Sequence, residues 1–112
     1  MSDEPKLVWY GAKTIFSHDD VAARQGKPCY EERVVLLQAR DDDHAILLAE
    51  EEAERYAEPG LSCRYLGYVN VFRMFDEQVS SGVEVFSIMR SIDVSEKDFV
   101  ERYYDDGSFH TR

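Results

Sequence analysis

Four residues on three predicted elements carry the groups that a small-molecule or anion site needs. Glu32 lies on a predicted strand among apolar side chains, an environment that raises a carboxyl pKa and favours acid–base chemistry. Arg90 lies at a predicted strand end before a helix start, where a guanidinium and free backbone N–H groups can hold an anion. Together with Tyr30 and Tyr103, these residues form a candidate pocket. The structural alternative is that Glu32 pairs with an arginine and that no site forms.

The clusters that look metal-binding lack the spacing of a metal site. Asp41, Asp42 and Asp43 are consecutive, and consecutive residues at a helix start rarely converge on one ion, so we interpret them as helix caps. Cys29 and Cys63 fall near strand starts, but two thiols without a paired C-x-x-C do not make a zinc site. We therefore predict no metal and no cofactor.

The sequence also lacks the common catalytic motifs. It contains no phosphate loop, dinucleotide fingerprint, nucleophile elbow or zinc-protease helix. This lowers the odds of the common enzyme classes and leaves an unfamiliar enzyme open. A non-catalytic role is favoured.

The negative charge of the chain is concentrated in one segment. The formal net charge is −10 at pH 7, and residues 41–58 contribute −7 of it, with eight acidic residues and one basic residue. Such a surface repels a phosphate backbone, so nucleic-acid binding is disfavoured. It attracts a basic protein, for which Glu50, Glu51 and Glu54 are the candidate contacts. The simpler explanation is a solvated helix face that keeps the protein soluble.

Length and composition predict a single domain. The 112 residues include 44% hydrophobic and 12% aromatic residues, enough for a modest core. We expect the domain over residues 6–104, with residues 1–5 frayed and residues 105–112 as a mobile tail. No signal peptide or membrane-spanning apolar run of ~20 residues is predicted, so no membrane contact is expected. Two cysteines without a disulfide framework favour free thiols in a reducing cytoplasm.

Residue type and period predict the elements that position these groups. β-Branched and aromatic runs predict four strands, at residues 6–16, 30–40, 64–75 and 83–90. The third is apolar on both sides and is predicted as an inner strand. Gly11, inside the first strand, predicts a bulge or a close backbone approach. Residues 18–28 form a polar connection that is long for a hairpin loop.

Two helices complete the predicted fold. The first, over residues 44–57, places Ala45, Ala49 and Ala53 on one stripe, which predicts close packing on a sheet. The second begins after the cap residue Ser95 and ends near residue 104. The order ββαββα favours antiparallel neighbours. We therefore predict an α+β fold, a four-stranded antiparallel sheet with the long helix packed on one face and a short C-terminal helix.

The ordered segments resemble a known family. Six segments carry the resemblance, in the order WYGAK, YEERVVL, the alanine- and glutamate-rich helix, YLGYVNV, EVFSIMRS and RYYDDG. Over about residues 9–107, this series resembles the bacterial family called domain of unknown function 4288. The resemblance implies a small stand-alone bacterial protein. Since the family has no established activity, it implies no catalytic residues.

Two functional hypotheses follow. The first is a non-catalytic interaction protein, because the sheet face around Trp9, Tyr65 and Val69 is more apolar than one short helix can cover. A second copy would cover the rest, which predicts a homodimer, and the acidic helix would suit an immunity or antitoxin-like role against a basic partner. The second hypothesis is a small-molecule binder or enzyme that uses the candidate pocket.

Overall fold

The computed structural model of the protein describes residues 6–19, 28–58 and 62–104. In chain order, its elements are β1 (Val8–His18), β2 (Cys29–Ala39), α1 (Asp42–Tyr56), β3 (Cys63–Arg73) and α2 (Glu96–Tyr103). The predicted α+β class, with an antiparallel sheet and two helices, is confirmed. The predicted frayed start, the predicted mobile tail and most of the 18–28 connection lie outside the described residues. Neither of the two described helices has both the length and the apolar content needed to cross a membrane.

Over the described residues, the sheet has three strands in the order β2-β1-β3, and both pairs are antiparallel. The prediction of four strands is wrong, because residues 83–90 lie outside the sheet and follow β3 without regular structure. The prediction of the third strand as an inner strand is also wrong, because β1 is central and β3 lies at an edge. β3 lies at an edge because α1, which connects β2 to β3, crosses β1. The chain therefore enters β3 on the side of β1 that is opposite β2.

The sheet has two chemically different faces. Cross-strand partners share a face, so the register assigns each strand residue to one side. The helix face lies under α1 and carries four buried β1 residues, namely Tyr10, Ala12, Thr14 and Phe16. The open face is the opposite side and carries, from β1, Trp9, Gly11, Lys13 and Ile15.

Helix α1 packs closely on the helix face. Ala45, Ala49 and Ala53 are fully buried, which confirms the predicted alanine stripe. Asp41 caps the helix by accepting a 2.8 Å hydrogen bond from the His44 backbone N–H, as expected for an aspartate at this position.

Tyr10 ties the start of α1 to the central strand. The hydroxyl of Tyr10 donates to Asp42 Oδ1 at 2.8 Å. Burial of the phenol, and then its hydrogen bond to Asp42, raise the pKa of Tyr10 to about 12. The phenol therefore stays protonated and remains a donor to Asp42 throughout the neutral pH range.

Helix α2 is isolated from the rest of the described fold. Ser95 caps it by accepting from the Asp98 N–H at 3.1 Å, which confirms the predicted cap. None of its residues is buried, and within the described residues it makes no extensive contact with α1 or the strands. Its ring contacts are internal, with Phe99 and Tyr103 centroids 5.3 Å apart. We call residues 83–104 the C-terminal arm.

The start of the arm crosses the open face directly above β1. A Cβ atom on Gly11 would lie 1.7 Å from the carbonyl oxygen of Val85, which confirms the predicted close backbone approach at this glycine. The Phe86 ring lies 6.0 Å from the Phe72 ring and 5.9 Å from Lys13 Nζ. The arm is therefore anchored at residues 85–86.

Among the described residues, one buried hydroxyl of the core lacks a hydrogen-bond partner. Thr14 is 1% exposed, and its Oγ1 makes no hydrogen bond within the described part of the chain. We expect Thr14→Val to raise the free energy of unfolding by about 1 kcal/mol, because it keeps the β-branched shape and removes an unpaired polar atom. Urea denaturation would measure the change.

Thr14→Ser is the matched control for this prediction. It keeps the hydroxyl and removes a buried methyl group, so the stability should fall by about 1 kcal/mol. A stability loss in Thr14→Val as well would contradict the assignment of an unpartnered hydroxyl.

Candidate functional site

Three strand ends bring an imidazole, a carboxylate and a thiol together. His18 ends β1, Glu31 lies near the start of β2, and Cys63 begins β3. One ligand atom from each lies within 4.8 Å of the other two, and His18 Nε2 is 2.7 Å from Glu31 Oε1. In the register, His18 stands opposite Cys63 on one side and Cys29 on the other. We call His18, Glu31 and Cys63 the strand-end cluster.

Tyr56 holds the carboxylate of the strand-end cluster in place. Its hydroxyl lies 3.0 Å from both oxygens of Glu31, to which it donates. This hydrogen bond to Glu31, and then burial, raise the pKa of Tyr56. The Tyr56 ring packs edge-on against Phe16 at 4.9 Å and stacks under the Arg33 guanidinium at 3.9 Å. Glu31 is therefore oriented by a phenol that is itself fixed on two sides.

The guanidinium of Arg33 forms an ion pair with Glu52, not with Glu31. Its two terminal nitrogens donate to both oxygens of Glu52, with Nη2 2.8 Å from Oε2. These hydrogen bonds raise the pKa of Arg33, so its guanidinium stays charged. The carboxylate of Glu31 is not part of this ion pair. Burial first, and then the charge of Glu31, raise the pKa of the Cys63 thiol.

The four predicted pocket residues are spread over three parts of the chain. Tyr30 and Glu32 are exposed on the open face of β2, and Glu32 pairs with Lys13 at 2.5 Å. Arg90 is exposed on the arm and lines a cavity of about 200 Å³ that none of the other three lines. Tyr103 lies on α2, against other aromatic rings of that helix.

The predicted apolar surface is divided between the two faces of the sheet. Tyr65 and Val69 stand opposite Phe16 and Thr14, so they lie on the helix face beneath α1. Trp9 lies on the open face and is half-buried. The open-face surface near Trp9 is therefore distinct from the surface that Tyr65 and Val69 form.

The predicted acidic contacts are mostly accessible. Glu51 and Glu54 are exposed on α1, whereas Glu50 is half-buried with its carboxylate 3.5 Å from the Tyr65 hydroxyl. The outer side of α1 also carries Leu47, which is exposed. This side of α1 is thus an acidic surface with one apolar residue.

Large apolar side chains are exposed on the arm and on β2. Met89 is 94% exposed, and five other large arm residues are 43–50% exposed, namely Ile88, Ile92, Val100, Tyr103 and Tyr104. On the open face of β2, Tyr30, Val34 and Leu36 are exposed; we call these three residues the β2 row. Within the described residues, the fold leaves both of these apolar surfaces uncovered.

A cavity of about 360 Å³ lies where β1 begins and β3 ends. Residues 6–9 and 73–77 line it, and an exposed ion pair joins Lys6 to Glu77. Hydrogen bonding from the Met74 N–H to the Trp9 carbonyl at 2.9 Å holds the two walls together. Sequence reasoning did not find this cavity, because its walls are brought together only by the pairing of β1 with β3.

The strand-end cluster was also missed, although each member was visible in the sequence. Cys63 was considered only together with Cys29 as an incomplete zinc motif, and His18 lies at the start of the polar 18–28 connection. The available signal was the hairpin order. In an antiparallel pair the end of β1 lies beside the start of β2, so His18 and Glu31 could be expected at the same end of the sheet.

Comparison with known proteins yields a family. A family model described as Domain of unknown function (DUF4288) matches residues 9–87. The matched range includes the strand-end cluster, the β2 row and the anchor of the arm at residues 85–86. No curated protein and no solved structure gives a match to this chain.

Proposed function

Because the chain belongs to the DUF4288 family, whose description assigns no function, we propose its role from the exposed surface. We propose that the protein is a non-catalytic interaction module that assembles with a second copy of itself. The arm of each copy packs against β2 of the other. The observation that carries the proposal is the arm, whose sequence favours a strand but which has no strand partner among the described residues of its own chain.

The arm has the properties of a donor strand. Residues 83–90 are rich in β-branched and aromatic residues and lie between turn residues, a composition that predicts a strand. Within the described residues, no backbone hydrogen bond joins residues 84–91 to the rest of the fold. Unpaired backbone groups and the exposed Met89 side chain would both gain from a partner strand.

β2 has the properties of the acceptor. It is an edge strand of 11 residues, and its register with β1 has no shift. β3 is the other edge, but an irregularity opposite Thr14 and Phe16 interrupts it, and such bulges protect edges from pairing. The β2 row adds exposed apolar side chains beside the regular edge. Two copies can make the same contact reciprocally, which gives a closed twofold dimer.

Net charge separates this proposal from the alternative partner. Two copies of a chain with a charge of −10 repel each other, so salt should strengthen the homodimer by screening. A basic protein bound to Glu51 and Glu54 on α1 would instead be released by salt. The sign of the salt dependence therefore identifies the partner class.

The test is the mass of the protein in solution across micromolar concentrations, measured by sedimentation equilibrium at low and high salt. We expect a monomer–dimer equilibrium that shifts towards dimer at high salt. Met89→Asp should raise the dissociation constant at least about tenfold, because a charge replaces a buried apolar contact. Since Met89 is 94% exposed in the single chain, this substitution should leave the monomer fold intact.

Leu47→Asp is the matched control, since Leu47 is an exposed apolar residue on α1 rather than on the arm. It should leave the dissociation constant unchanged. A monomer mass for the unmodified protein at every concentration would overturn the homodimer. An equal effect of Leu47→Asp and Met89→Asp would show that the arm is not the specific contact.

A further inference from the structure

We propose that the strand-end cluster binds a divalent transition-metal ion, with zinc as the ion that best fits its donors. His18 offers an imidazole nitrogen, Glu31 a carboxylate oxygen and Cys63 a thiolate sulfur, from three strands of one sheet. Zinc takes this mixture of nitrogen, oxygen and sulfur ligands, whereas calcium and magnesium prefer oxygen alone. The site is independent of the arm and of the proposed homodimer.

The geometry of the cluster is close to what one ion requires. The three ligand atoms already lie within 4.8 Å of one another. His18 Nε2 and Glu31 Oε1 are 2.7 Å apart, and at normal zinc bond lengths two such atoms lie about 3.3 Å apart in a tetrahedral site. Small side-chain rotations would open this space. The Cys63 proton would pass to solvent as the sulfur binds.

The surroundings of the cluster resemble the outer ligand shell of a metal site. A carboxylate that binds a metal is commonly held by a second hydrogen bond, and here the Tyr56 hydroxyl supplies it to Glu31. Tyr56 is in turn held by Phe16 and Arg33. The His18 and Glu31 side chains are about one-third exposed, so an ion can enter from solvent.

Three protein ligands would hold the ion, and water would take the fourth position, as in open zinc sites. Cys29 stands opposite His18 in the register, but its sulfur does not belong to the group within 4.8 Å. The two thiols are not joined by a disulfide. Cys29 therefore serves as the thiol control for Cys63.

Titration of the metal-free protein with Co²⁺ and then Zn²⁺ tests the site. Co²⁺ should produce a thiolate charge-transfer absorption band, and Zn²⁺ should displace Co²⁺ and remove the band. Glu31→Gln and His18→Gln should each weaken Zn²⁺ binding by more than about 100-fold, and Tyr56→Phe by about 10–100-fold, as expected for ligands and for a supporting residue. Calorimetry gives the dissociation constants, and circular dichroism confirms that each variant is folded.

Two variants with the same residue types serve as controls. Glu32 is next to Glu31 in the chain but lies on the opposite face of β2, where it pairs with Lys13. The Glu32→Gln substitution should therefore leave the Zn²⁺ affinity unchanged. Cys63→Ser should abolish the Co²⁺ band, and Cys29→Ser should keep it. Absence of the band in the unmodified protein, a band that depends on Cys29 instead of Cys63, or equal losses in Glu31→Gln and Glu32→Gln would overturn the proposal.

Discussion

Phe16→Ala is expected to lower the free energy of unfolding by about 3–5 kcal/mol, the range for removal of a buried aromatic ring. Phe16 is 0% exposed and lies on the central strand, where its side chain contacts both α1 and β3. Its ring lies 4.9 Å from Tyr56 of α1 and 5.6 Å from Tyr65 of β3. A loss of this size is a large share of the about 5–15 kcal/mol that stabilises a typical domain. Urea denaturation followed by Trp9 fluorescence would measure it.

Phe75→Ala provides the comparison, since Phe75 is the same residue type at 86% exposure. Its effect should stay within about 0.5 kcal/mol. Similar losses for the two variants would mean that Phe16 does not occupy the centre of the core. Because Phe16 also supports Tyr56, which orients Glu31, the Phe16→Ala variant should bind Zn²⁺ more weakly than the unmodified protein.

Local signals predicted the helices well because their causes are local. The cap at Ser95 and the alanine stripe of α1 depend on residues within a few turns, and both are confirmed. The first three predicted strands agree with β1, β2 and β3 to within about two residues at each end, since strand sequences carry their own pattern. Residues 83–90 have a similar composition, but they pair with no strand in the part of the chain that the structure describes. Strand propensity records a preference for pairing and does not specify which edge will accept the strand.

The candidate site depends on register, which the sequence does not display directly. His18, Glu31 and Cys63 come from three segments, and their approach requires knowing that β1 is central. Sequence reasoning placed the third strand inside the sheet because both of its faces looked apolar. In the structure one face of β3 meets α1, and its open face receives Phe86 of the arm at Phe72. β3 is apolar on both faces because α1 covers one face and the arm contacts the other. Its apolar character does not mean that it has a neighbouring strand on each side.

Gly11→Val is the second substitution with a large expected effect. Valine is a better strand former than glycine, so strand propensity alone would increase stability. The new Cβ would instead lie 1.7 Å from the Val85 carbonyl oxygen, and backbone cannot move aside as the tip of a side chain can. We expect a loss of about 3 kcal/mol in the free energy of unfolding, or detachment of residues 85–86 from the open face.

A double-mutant cycle with Phe86→Ala measures that detachment. In the unmodified protein, Phe86→Ala should cost about 1–2 kcal/mol, because the half-buried ring packs on Phe72. With Gly11→Val the arm is already displaced, so the further cost should fall to within about 0.5 kcal/mol of zero.

Gly67→Val is the control, since Gly67 has φ +81° and no atom within 4 Å of a new Cβ. That substitution strains the backbone without touching the arm, so Phe86→Ala should keep its full cost there. An undiminished cost in the Gly11→Val background would place residues 85–86 away from β1.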